Sequence, residues 1–159
     1  MAGSADIGKL PVKKRAEYVH HALHGKTYEV KDVFKYILAG AVVGREIEHV
    51  TVGAKAVLDK LGVKAKHGKF KNAHYPGLVV EHVVPTEFLY KWITARKDEL
   101  SVKDIEQVLL NCPVCLVTKD DDALLREAKL QKTMPKADFD CLEGDCFSRY
   151  RAAGLKRLF

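Results

Sequence analysis

The chain of 159 residues has no uncharged apolar run of the roughly 18 residues that a membrane-spanning helix requires, so no contact with a membrane interior is expected. No hydrophobic run follows the basic residues of its opening stretch, MAGSADIGKLPVKKR. That argues against a secretory signal and makes the cytoplasm the expected location, with export by a signal-free route as the alternative. Internal repeats and low-complexity tracts are absent. The tight turn of a helix-turn-helix motif is also missing, because the connection between the second and third expected helices is too long for it.

What is present suits a folded unit. Apolar residues make up 47% of the chain, enough for a core, and the length fits a single domain. Positive charge is in excess, with a net +6, and it is unevenly placed. Residues 1–76 hold 14 Lys and Arg against 7 Asp and Glu, whereas residues 77–159 hold 13 against 14. A basic half beside a near-neutral half suits a polyanionic partner, most simply nucleic acid. A lysine-rich solvated surface is the alternative reading.

Periodicity supplies the elements. A helix is expected over 12–24, after Pro11 and ended by Gly25, with Val12, Ala16, Val19 and Leu23 on one face. A second is expected over 29–39, where Val30, Val33, Phe34, Ile37 and Leu38 share a face. A third, over 51–61, has Thr51 as its cap and Gly62 behind it. AVVGREIEHV, between the second and third, reads as a short strand or an extended connection. In KAKHGKFKNAHYPG, Lys64, Lys66, Lys69 and Lys71 alternate with His67, Phe70, His74 and Tyr75. Such a basic loop with aromatics suits phosphate contact and base packing, as well as plain solvation. TEFLYKWI forms a short helix after Pro85. Ser101 and Asp104 make a capping box for a helix over 102–110. PVCLVT reads as a strand, Thr118 to Asp121 as a second capping box opening a helix to about Gln131, and residues 146–153 as a last helix closed by Gly154.

The four cysteines fall into two close pairs, Cys112 and Cys115 in CPVC, and Cys141 and Cys146 in CLEGDC. Paired thiols separated by a strand and a helix suit a four-thiolate structural zinc, and a cytoplasmic setting favours zinc over disulfides. A redox-active CxxC or four unrelated thiols are the alternatives.

The stretch GLVVEHVVPTEF breaks the pattern of a buried strand. Glu81 and His82 sit together among valines, and adjacent strand residues point to opposite faces. The order of elements from there is a strand bearing Glu-His, a connection, Asn111, a short strand, and a helix opening on three aspartates. With EHVVP at 81–85, Asn111 before the second strand, and LVTKDDDALL at 116–125, this resembles the HNH (ββα-metal, His-Me finger) endonuclease family over roughly residues 77–146. The resemblance implies a zinc-braced ββα-metal core over 71–159. It does not explain residues 1–70, which read from periodicity and charge as a helical, basic region for nucleic-acid or dimer contact, so that the whole is expected to be α+β. The resemblance further implies a metal-dependent endonuclease of restriction or defence type, or a delivered toxin. His82 would be the general base, oriented by Asn111. Glu81 and Asp122 would hold a catalytic Mg²⁺ or Mn²⁺, and Asp120 and Asp121 compete with Asp122 for that role. Many family members have His or Asn where this chain has Asp122. DNA is the expected partner, with RNA as the alternative. A palindromic site would call for a homodimer, and a toxin role for an inhibitor protein. A zinc-braced nucleic-acid-binding protein without catalysis is the competing function.

Overall fold

The computed structural model describes residues 10–25, 47, 49–63 and 77–158. The helix expected over 29–39 and the basic loop with Lys64, Lys66, Lys69 and Lys71 lie outside the described residues. The described part is α+β. Its elements in chain order are α1 (Val12–His24), β1 (His49–Thr51), α2 (Val52–Lys60), β2 (Leu78–His82), α3 (Thr86–Ala95), α4 (Val102–Asn111), β3 (Val114–Thr118), α5 (Lys119–Glu127), α6 (Ser148–Ala152) and β4 (Arg157–Leu158). Among these, no helix is long and apolar enough to cross a membrane.

The four strands form one sheet in the order β2-β3-β1-β4. β2 and β3 run antiparallel, with Leu78 opposite Thr118, Glu81 opposite Cys115 and His82 opposite Val114. β1 runs parallel to β3 and antiparallel to β4. The sheet therefore crosses the compositional boundary near residue 70, because β1 lies between two strands from the second half of the chain.

Alternation divides the side chains of this sheet between two cores. On one face Leu78, Val80, Val114 and Leu116 pack with Val50 and with Ala54 and Leu58 of α2. On the other, Val79, Cys115 and Val117 pack with Val83, Leu125 of α5, and Phe147 and Tyr150 around α6. A third core, away from the sheet, brings Ala16, Val19 and Leu23 of α1 together with Leu89, Trp92 and Ile93 of α3 and Ile105, Val108 and Leu109 of α4. Each large side chain buried in this way contributes roughly 1.5–3 kcal/mol.

β1 and β3 each run directly into a helix, and the two helix starts are joined. The Thr51 hydroxyl accepts from the Ala54 N–H at 3.2 Å, which caps α2. It also donates to the Asp121 carboxylate at 2.5 Å. That carboxylate accepts the Thr118 N–H at 2.9 Å, completing the expected capping box of α5. Gly53 permits this closeness, since a Cβ there would stand 3.2 Å from the same Asp121 oxygen. The Ser101–Asp104 capping box of α4 is also formed.

α5 ends sooner than periodicity suggests, and α6 ends before Gly154 as expected, both through the same kind of turn. α5 stops at Glu127, not near Gln131, because Lys129 takes a left-handed conformation at φ 58°. The Leu130 N–H then bonds back to the Leu125 carbonyl at 2.8 Å, and Leu130 packs against the core. α6 ends in the same manner. Gly154 has φ 77°, the Leu155 N–H reaches the Tyr150 carbonyl at 2.8 Å, and Leu155 is buried. Both are Schellman-type stops, in which a buried leucine completes the turn. α6 also begins later than expected, at Ser148.

Thr51 is fully buried and serves both helix starts, so Thr51→Ala removes one cap and leaves Asp121 short of a donor. The expected loss is about 1–2 kcal/mol in urea unfolding with an unchanged m-value. A loss within a few tenths of a kcal/mol would mean that the two helix starts are not coupled through this hydroxyl.

Candidate active site

β2 is a strand because it is apolar on both faces up to Val80, and it stops because Pro85 cannot continue the ladder. The end is firmly held. Val83 and Val84 are buried, the Val83 N–H bonds to the Pro113 carbonyl at 3.0 Å, and Pro85 opens α3. Glu81 and His82 thus occupy the last two positions of a fixed strand. Pairing with Cys115 turns Glu81 toward α5 and α6, and pairing with Val114 puts His82 on the α2 side. Both are half-buried.

Glu81 is met by two residues that sequence reading did not single out. Arg149 of α6 is fully buried and binds both carboxylate oxygens through Nη2. The Tyr150 hydroxyl donates to the same carboxylate at 2.8 Å. Burial pushes the Glu81 carboxyl above its usual range, the Arg149 guanidinium and the Tyr150 hydroxyl pull it back, and the Asp122 charge adds to the rise. Burial and the neighbouring Glu81 charge likewise hold the Tyr150 phenol well above its ordinary value. The Asp122 contribution places the strand carboxylate and the helix carboxylate within electrostatic reach of each other.

The three aspartates of α5 have distinct roles. Asp120 is exposed. Asp121 caps the helix and binds Thr51. Asp122 pairs with Arg126 at 3.0 Å on the helix surface. Asn111 is the last residue of α4, not a turn residue, and its side chain is committed there. It accepts from Gln107 at 2.8 Å and donates to the Leu142 carbonyl. These bonds tie α4 to the CLEGDC segment and do not direct the amide to His82.

At Glu81 both carboxylate oxygens bond to Arg149 and one also to Tyr150, so a cation there would share the carboxylate with a buried guanidinium and a phenol. The four thiols are not gathered at one point. Cys112 is hydrogen-bonded to Cys141 and within electrostatic reach of Cys146. Cys115, by contrast, lies in the core between β3 and α6 with Val83 and Val117. The reason is strand geometry: Cys112 precedes β3, and Cys115 is drawn inward by the alternation of the strand. Among the described residues, no group of three or more His, Cys, Asp or Glu side chains is placed to hold a metal ion.

All four thiols are free. Burial pushes Cys115 up to about 12 and Cys146 up to about 11. The bond to Cys141, together with burial, holds Cys112 well above its ordinary value.

Comparison with protein-family models, with curated proteins and with solved structures finds no match to this chain.

Two outcomes follow from this geometry. Arg149→Ala strands the Glu81 carboxylate without its counter-charge, and removing one partner of a buried pair typically costs about 3–5 kcal/mol. Chemical denaturation should register a loss of that order, and a loss below 1 kcal/mol would mean that the pair is solvated. In alkylation of the native chain at pH 8, the half-exposed Cys146 should react first and the three buried thiols slowly, because the reagent cannot reach them without local opening. A chelator should leave these rates unchanged, whereas chelator-triggered release of four thiols would restore the four-thiolate zinc site.

Proposed function

We propose that this chain cleaves phosphodiester bonds in nucleic acid, with DNA as the expected substrate. The observation that carries the reading is the arrangement of β2, β3 and α5. β2 and β3 pair antiparallel although α3 and α4 lie between them in the chain, and β3 runs straight into α5, with a Glu-His pair at the end of β2 and Asp122 in the first turn of the helix. This is the order of elements in the ββα nuclease unit that EHVVP and LVTKDDDALL resemble. A net charge of +6 adds support, since phosphate binding by Lys and Arg gains from counterion release.

In this reading His82 is the general base. Its imidazole, half-buried at the end of a rigid strand, accepts the proton of the water that attacks phosphorus as the ester P–O bond breaks. Glu81 anchors the strand end through Arg149 instead of serving as a cation ligand. The lysines at 64, 66, 69 and 71 supply phosphate contacts along the polyanion.

One observation favours a second reading. The commitment of Glu81 to Arg149 and Tyr150 suits a nucleic-acid-binding protein in which the Glu-His pair performs no catalysis.

Nicking of supercoiled plasmid by wild type and His82→Ala, with and without Mn²⁺, separates the two. Catalysis predicts nicking by wild type and a rate lower by about 10²–10⁴ in a folded His82→Ala chain that still binds DNA. Salt-sensitive DNA binding without nicking by wild type would establish the binding protein instead. Undiminished nicking by His82→Ala would remove the base assignment.

A further inference from the structure

We propose that Arg149 is a positioning residue for His82: a buried guanidinium that fixes the backbone from which the candidate base projects. The inference rests on the nuclease reading and goes beyond it, because nothing in the sequence pattern links these two residues.

Arg149 is fully buried, yet every nitrogen of its guanidinium is engaged. Nη2 donates to the His82 carbonyl at 2.5 Å and to the Glu81 carboxylate. Nε donates to the Val83 carbonyl at 2.8 Å. Nη1 reaches the Leu130 carbonyl at 2.8 Å and the Gln131 carbonyl at 3.4 Å. Three consecutive residues at the end of β2 are therefore held by one planar group, itself seated on the turn that ends α5. The last ladder pair of β2 is His82 with Val114, and beyond it the Val83 N–H still bonds to the Pro113 carbonyl at 3.0 Å. That bond leaves the carbonyls of His82 and Val83 to Arg149, which grips the strand end from the side.

The guanidinium is suited to this because its donors form a rigid fork. Lysine offers a point charge on a flexible stem. It can neutralise Glu81, but it cannot grip the carbonyls of His82 and Val83 together. A peptide unit released at that point turns the imidazole away from its line of attack, and misplacement by about 1 Å can cost about 10²-fold in rate. A core residue that merely stabilised the fold would have no reason to act through His82 in particular.

The test is a double-mutant cycle of Arg149→Lys with His82→Ala, read by single-turnover plasmid nicking under conditions where circular dichroism shows all four chains folded. In the His82 background, Arg149→Lys should lower the maximal rate by about 10–100-fold while half-saturation with DNA changes less than twofold. In the His82→Ala background, the same substitution should change the residual rate less than twofold, because the group it positions is gone. Equal losses in both backgrounds would overturn the proposal and leave the nuclease reading intact. Absence of nicking by wild type would overturn the nuclease reading and the proposal with it, and full activity in His82→Ala would overturn the base assignment and the proposal with it. A second measurement needs no turnover. Arg149→Lys should shift or split the His82 ring resonances in NMR and leave those of His20 and His24 in place, and an unmoved His82 ring would also overturn the proposal.

Discussion

A charged side chain without solvent must be matched at every donor, and Arg149 is the point where this chain meets that demand. Its guanidinium takes a carboxylate from β2, two carbonyls from the end of the same strand and two more from the turn after α5. Burying such an ion pair yields little net stability over a well-packed apolar core. What it yields here is definition. Hydrocarbon packing tolerates small sliding movements between elements, whereas six directed bonds from one rigid group do not. The end of β2, the turn at Leu130 and the short helix α6 are held in one arrangement because each supplies acceptors, or the donor, to this centre.

The same demand explains why Glu81 lies in an apolar strand. A buried arginine needs an anion, and the strand facing α6 is the element that can deliver one. Tyr150 adds a neutral donor to the carboxylate and extends its ring across the core toward Phe147, with centroids 5.7 Å apart in an edge-to-face contact. Phe147 in turn lies under the Arg157 guanidinium, 3.7 Å from the ring centroid. A polar centre therefore passes through aromatic faces to the far edge of the sheet.

The local signals were largely readable from the residues. Apolar spacing and caps announced α1, α2 and α4 to within a residue or so, and the capping boxes at Ser101 and Thr118 are formed. The strands at 78–82 and 114–118, and the short helix after Pro85, stood out for their β-branched runs and for the proline. What sequence could not convey was long-range. Arg149 looks like one more cation in a basic helix, and Glu81 looks like a ligand until its partner, 68 residues away, is seen. Asn111 read as the group that orients His82, because its bond to Leu142 spans a loop with no periodicity. The CPVC spacing suggested paired thiols, but the strand that begins between them sends Cys115 into a different core from Cys112. The length of α5 was overestimated because a left-handed stop at Lys129 leaves no mark in a lysine. Gly154, by contrast, did mark the end of α6.

The position of β1 has a consequence for how the fold is reached. This three-residue strand lies between β3 and β4, and His49 meets Arg157 across 108 residues of chain. Pairings so remote in sequence carry a high loop-closure cost and come late in folding. During synthesis β1 leaves the ribosome long before either neighbour exists, with both edges open for pairing. The half of the molecule that can organise first is thus the helical one, where α3 and α4 are consecutive. β1 can join β2 and β3 once β3 is made, but its second edge is covered only by β4, so fragments shortened before β4 would leave that edge of β1 unpaired.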